Sequence, residues 1–258
     1  MTAGGHEEAR RRLVRARLLG ERFVYRLPRN APGAVASRPD SGEEPSTVER
    51  LTTDPSPSEA FDAEAWKALR QEVMTCTRCE LHRTRTQGVF GSGTPLSRFM
   101  VVGEAPGFHE DQQGEAFVGA AGKLLTRILA AIGFSRDEVF ITNILKSRPP
   151  GNADPAPHQV SACIPYLERQ IELIGPAVIL TLGRHAARTL LGVDGSMASL
   201  RGRVFEYRGV PVVATYHPAA LLRNPKLKRP TWEDVQLARR VHDEGTAVMG
   251  GQGSATDG

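Results

Sequence analysis

From about residue 61 to 244 the chain alternates two kinds of apolar pattern. Trp66, Leu69 and Val73 recur at helical spacing, as do Leu124, Leu125, Ile128, Leu129 and Ile132. Val160 to Ile174 is a long helical pattern, and Ala186–Leu191 and Trp232–Val241 are shorter ones. Between them lie brief, mostly apolar runs of strand length: Phe99–Val102, Val139–Ile141, Ala177–Leu182 and Val210–Ala214. Strands that alternate with helices and lack a polar face predict an α/β fold, a mostly parallel sheet covered on both sides.

Outside this region the pattern fades. Residues 1–60 hold Pro28, Pro32, Pro39, Pro45, Pro55 and Pro57 among Gly, Ser, Asp and Glu. Such a stretch buries little and reads as a flexible N-terminal extension. Residues 245–258, rich in Gly, Ser and Asp, read as a disordered tail, so the domain is placed at 61–244.

Composition adds a mild electrostatic hint. The formal charge is +4 and the sequence pI about 9.2, with only five lysines, so arginine carries most of the positive charge. That balance permits a polyanionic partner. No apolar run approaches the roughly 18–20 residues of a membrane span, and the N-terminus lacks the apolar centre of a signal peptide. These features predict a soluble, cytoplasmic, monomeric protein. Three cysteines in an intracellular chain point to a metal site or free thiols rather than a disulfide framework.

Ligands of such sheets bind outside the carboxyl ends of the strands. Three polar segments fall there: Gly103-Glu104-Ala105-Pro106-Gly107, Asn143, and His217-Pro218. They are distant in sequence and predicted to converge on one crevice. The glycine turn lacks the G-x-G-x-x-G spacing of a dinucleotide site. Cys76-x-x-Cys79 does not follow a strand at a helix start, which argues against a thioredoxin-like thiol enzyme.

The same residues carry a family resemblance. GEAPGFHEDQQGEAFVGAAGKLL (Gly103–Leu125), ITNILKSRPPGN (Ile141–Asn152) and TYHPAALLRNP (Thr215–Pro225), with Cys76-x-x-Cys79 and Leu81-His82 before them, resemble the motifs of family 4 uracil-DNA glycosylases, the iron–sulfur type. The likeness covers about Ala65 to His242. It implies a three-layer α/β/α sandwich around a four-stranded, mostly parallel sheet, a [4Fe–4S] cluster near the DNA face, and hydrolysis of the N-glycosidic bond of deoxyuridine in single- or double-stranded DNA.

The resemblance also implies roles. Phe117, which periodicity alone reads as core, matches the aromatic that stacks on a base taken out of the helix. Asn143 matches the asparagine that reads the uracil edge, since a carboxamide offers one donor and one acceptor. His217 is expected to donate to the uracil O2 as negative charge develops. A carboxylate is expected to steady the sugar cation or orient water, as in sugar hydrolysis; Glu104, Glu110 and Asp111 are the candidates. Backbone amides at Gly103 and Ala105 face the base or a phosphate. Arg148 and Arg223 are expected phosphate contacts. HPAALLRNP is expected to form a loop in the minor groove, with Leu221, Leu222 or Arg223 filling the gap left by the base; the core face of a helix is the competing reading of the two leucines.

One departure stands out. The family holds its cluster with four cysteines; Cys76, Cys79 and Cys163 match three, and Ser147 occupies the fourth position. Four thiolates are the usual ligation. Ser147 as an alkoxide, His158 or His82 as a substitute, or a three-iron, labile or missing cluster all remain open. Glu115-Ala116 also replaces the family's basic residue and proline before Phe117, and Ala153 a common arginine. An alternative function is a relative that binds or traps uracil-DNA without turnover. The superfamily branch that does so covalently carries a histidine in an inserted basic loop, and this chain has no such insertion in its RPPGN region.

Overall fold

The computed structural model describes residues 61–246, the backbone of the final helix to Gly250, and the short strand Val24–Tyr25. The expected N-terminal extension otherwise lies outside the described residues, as does the chain beyond Gly250.

The strands in chain order are β1 (Val24–Tyr25), β2 (Ser92–Gly93), β3 (Phe99–Gly103), β4 (Phe140–Asn143), β5 (Val178–Leu182), β6 (Val204–Tyr207) and β7 (Val210–Thr215). The helices are α1 (Ala63–Met74), α2 (Phe108–Gln113), α3 (Ala120–Ala131), α4 (Pro157–Ile174), α5 (Arg184–Leu191), α6 (Met197–Leu200), α7 (Pro218–Arg223) and α8 (Lys228–Gly250).

The strands form one sheet in the order β1-β6-β7-β5-β3-β4-β2. The four expected strands, β7-β5-β3-β4, are its parallel centre. The expectation of four strands is nevertheless corrected to seven among the described residues. β2 adds antiparallel to β4, β6 antiparallel to β7, and β1 parallel to β6. β2 is Ser-Gly and shows no apolar alternation, so nothing in its pattern reveals it. β6 and β7 form a hairpin across Arg208-Gly209, both at positive φ (50° and 84°), the geometry of a tight two-residue turn.

Every residue of β3 and β5 is buried, as expected of strands covered on both faces. Alternate residues feed two cores. Met100, Val102, Phe140, Ile179 and Val212 pack with Leu69 and Val73 of α1, Leu167 and Ile171 of α4, and Leu190 of α5. Phe99, Val101, Ile141, Leu180 and Val213 pack with Leu125 and Leu129 of α3 and Val235 and Ala238 of α8. These are the three layers of an α/β/α sandwich. α8 continues through Gly245, packed against Ala177, to Gly250, past the expected domain edge at 244. The chain fills β3 and β4 on one side before crossing to β5 and β7, so the carboxyl ends of β3 and β5 flank the switch point at which such sheets bind ligands.

Candidate active site and metal centre

Gly103, last in β3, pairs with Asn143, last in β4. A Cβ on Gly103 would lie 2.3 Å from Asn143 Oδ1 and 2.5 Å from the Phe117 ring. Only a hydrogen there lets the amide and the aromatic ring close in on the strand end. The Phe117 ring lies 5.5 Å from the His217 ring, centroid to centroid, at 33°. Four sequence-expected residues, Gly103, Phe117, Asn143 and His217, thus meet in one place.

Phe117 occupies the left-handed region at φ 56°, a conformation costing on the order of 1–3 kcal/mol and tolerated where the surroundings enforce it. The enforcement is visible. Glu110 Oε1 accepts from the N–H groups of Val118 (2.9 Å) and Gly119 (3.0 Å), and its Oε2 accepts from Gly107 N–H (3.1 Å). Arg136 Nη2 and Ser92 Oγ donate to the Ala116 carbonyl. Gly122 would place a Cβ 1.8 Å from the Phe117 carbonyl, so no side chain fits beneath the turn.

Asn143 is buried, and its Oδ1 has no hydrogen-bond partner among the described residues. Buried polar atoms are rarely left so. Its backbone is held: Lys146 Nζ donates to Asn143 O (2.8 Å), Thr142 Oγ1 (2.7 Å) and Gln170 Oε1 (2.7 Å). Burial lowers the Lys146 ammonium to about 7.

His217 caps α7 by accepting from Ala219 N–H at Nδ1, 3.2 Å. Its proton therefore sits on Nε2. Burial, then Arg223, pushes the imidazole down to about 4, against a smaller opposing pull from Glu110. The ring is neutral at physiological pH and remains a donor through Nε2.

The three candidate carboxylates separate. Both oxygens of Asp111 accept from Thr86 N–H (2.9 and 3.1 Å), which ties α2 to the segment after Cys79. Glu110 is occupied by three backbone amides. Glu104 is half-buried, and burial raises it above the ordinary carboxylate value, with Asp154 raising it further and His185 and Arg184 opposing. Ligating atoms of Glu104, Asp154 and His185 lie within 4.8 Å of one another. Sequence reasoning missed His185 and Asp154. The signal for His185 is its position just past the carboxyl end of β5, the fourth end of the parallel centre.

The segment HPAALLRNP is not a loop. It forms helix α7, and Leu221 is buried while Leu222 and Arg223 are exposed. Leu221 thus takes the core-face reading. Arg148 Nε donates to Asn152 Oδ1 (2.8 Å), and its guanidinium lies over the Phe108 ring at 5.1 Å.

The cysteines come from α1's end (Cys76), the turn before Glu80–Arg83 (Cys79) and α4 (Cys163). Cys163 packs with Cys79, Leu81 and Leu145. Burial raises its thiol; Cys79 and Cys76 add to the rise, while the Lys146 backbone N–H, bonded to the thiol, opposes it. Three thiols therefore share one neighbourhood with the 146–147 segment. Ser147 is buried there, and its Oγ accepts from Arg85 Nη1 (2.8 Å); Arg85 Nη2 donates to the Met74 and Cys76 carbonyls. Of the two substitute ligands, His158 Nε2 meets Glu80 (2.9 Å), whereas His82 uses only Nδ1, donating to the Cys79 carbonyl (2.7 Å), a bond that orients the ring without occupying Nε2. This donor set fits an iron–sulfur cluster at three corners and differs at the fourth.

This fold, with an aromatic ring, an amide and an imidazole meeting at its strand ends, has known counterparts. Residues 90–237 match the profile of the uracil DNA glycosylase superfamily. A type-4 uracil-DNA glycosylase of Sulfurisphaera tokodaii is 45% identical over 67% of this chain and 83% of that protein. Those of Archaeoglobus fulgidus and Thermotoga maritima are 48% identical (61% of this chain, 83% of that protein) and 41% identical (68% and 94%). The chain belongs to the uracil DNA glycosylase superfamily and, within it, to the type-4 family.

Proposed function

We propose that this protein hydrolyses the N-glycosidic bond of deoxyuridine in DNA, releasing uracil and leaving an abasic site. The observation that carries this reading is the buried, unpartnered Asn143 Oδ1 beside the Phe117 and His217 rings. Uracil presents N3–H next to O4; cytosine presents a bare N3 next to an amino group. An acceptor fixed at Oδ1 pairs with the first and meets a lone pair on the second.

The chemistry follows from the same atoms. The base leaves the stack and lies on Phe117. The C1′–N1 bond breaks, its electron pair passing to the uracil ring, and His217 Nε2–H donates to O2 as charge gathers there. A neutral donor suits this role. Glu104, the carboxylate not consumed by backbone amides, faces the developing sugar cation and takes the proton of the attacking water. Amides of the Gly103–Ala105 turn steady the base, Glu110 holds the Phe117 turn, and Asp111 anchors α2. Leu222 and Arg223 meet the DNA from α7, with Leu221 as their anchor, and Arg148 meets it from the segment after β4. Cys76, Cys79 and Cys163 would hold an iron–sulfur cluster, with Ser147 the residue nearest a fourth ligand position. When bound, such a cluster would tie together α1, α4 and the 146–147 segment. No helix of the described residues is long and apolar enough to cross a membrane.

Incubation with excess uracil-containing DNA tests the reading. Turnover gives more abasic product than enzyme. Product capped at one equivalent assigns the chain to the trapping alternative, and no release refutes both.

A further inference from the structure

Phe108 opens α2, and the residue is 52% exposed. Leaving a phenyl ring in water gains nothing for the fold, and two neighbours hold this one in place. The Arg148 guanidinium stands over it at 5.1 Å, and His109 meets it edge-on at 5.5 Å. Arg148 is itself fixed by Asn152, and His109 packs against Gly119 in the turn that carries Phe117.

The sheet says where this pair lies. β3 and β4 run parallel with Gly103 opposite Asn143, and their pairing continues past the strands: Ile144 N–H donates to Gly103 O and Leu145 N–H to Glu104 O. Both chains then continue an equal number of residues, one to Phe108 and the other to Arg148, and meet again. The aromatic–cation pair therefore caps the same two strand ends that present the base-reading residues.

We propose that Phe108 and Arg148 form a stacking platform for the nucleobase adjacent to the extruded uracil, a second base subsite that favours an unpaired neighbour and hence single-stranded DNA. This rests on the uracil reading above. An exposed aromatic face accepts any base, because every base has a π-face. A guanidinium on the ring adds cation–π attraction and a positive charge near the strand's phosphates. Phe108 thus contributes grip without sequence preference, while Asn143 chooses the base.

The test uses single-stranded DNA carrying one 2′-fluoro-deoxyuridine, which resists cleavage, flanked by the fluorescent base 2-aminopurine on one side or the other. Binding to the wild-type protein quenches the probe on one side through stacking. Phe108→Ala abolishes that quenching and weakens binding by roughly 5- to 150-fold, the range found when a base-stacking aromatic is truncated. The slope of affinity against salt stays unchanged, since no phosphate contact is lost. Phe108→Trp restores quenching and affinity. Quenching and affinity equal to wild type in Phe108→Ala overturn the platform, as does failure of Phe108→Trp to restore them. If the wild type cleaves ordinary deoxyuridine in the same strand, such a result leaves the uracil reading standing; if it does not, both readings fall.

Discussion

At the scale of single residues, the site separates groups that sequence alone made equivalent. His217 and Glu104 both titrate, but burial moves them in opposite directions: the imidazole down to about 4, the carboxyl up from its ordinary value. Each shift favours the neutral form. The acidic limb of the single-turnover rate is therefore expected to follow Glu104, and Glu104→Gln should remove that limb together with most of the rate. His217→Ala should lower the rate by a factor on the order of 10²–10³, the usual loss of one donor to a developing anion, with little change in DNA affinity. Stability carries a matching signature. The unfolded imidazole takes up its proton near pH 6.5 and the folded one near 4, so this contribution is lost as pH falls through that window. Denaturation midpoints of His217→Ala should decline less than wild type between those pH values. Asn143→Asp replaces an acceptor–donor pair by acceptors alone. It should blunt the preference for uracil over cytosine, measured by competing cleavage of both substrates; full activity with unchanged preference would make Asn143 structural.

At the scale of elements, the long ones were legible and the short ones were not. α3 and α4 cover the expected apolar stripes, and β3 and β5 are the expected apolar runs, because burial on a packed face leaves a periodic trace. α2, α6 and α7 are too short to leave one, and β2 has no apolar side chain. The strand ends gave away Gly103, Asn143 and His217 by position. They did not disclose that Glu110 serves backbone amides, since a carboxylate looks alike whether it meets solvent, substrate or N–H groups. Glu110→Gln puts an NH₂ against at least one of those donors. It should cost about 1 kcal/mol, toward the low end for an unsatisfied group because these amides are only partly buried, and slow the reaction while leaving the acidic limb in place, which calorimetry and a pH–rate series would show. On α7, Leu221→Ala should cost about 2–5 kcal/mol, as for other core truncations. Leu222→Ala should cost little stability and instead slow base extrusion, read by rapid-mixing fluorescence.

At the scale of the molecule, the sheet brings Gly103, Asn143 and His217 to one rim, while Cys76, Cys79, Cys163 and Ser147 lie where the end of α1, α4 and the segment after Asn143 come together. Ser147 is the corner to probe, because an oxygen ligand holds iron less firmly than thiolate. Ser147→Cys should raise iron toward about four per chain, slow its loss in air and raise the melting temperature, since a ligand bound only by the folded state stabilises it. A wild-type protein already carrying a full, air-stable complement would contradict this. The Glu110 clamp has a further consequence, in the tempo of the molecule. One carboxylate holds the amides of Gly107, Val118 and Gly119, so swinging its side chain away frees all three at once. In deuterated water they should share one opening event and therefore one degree of protection, which reports how often the turn that carries Phe117 opens by itself.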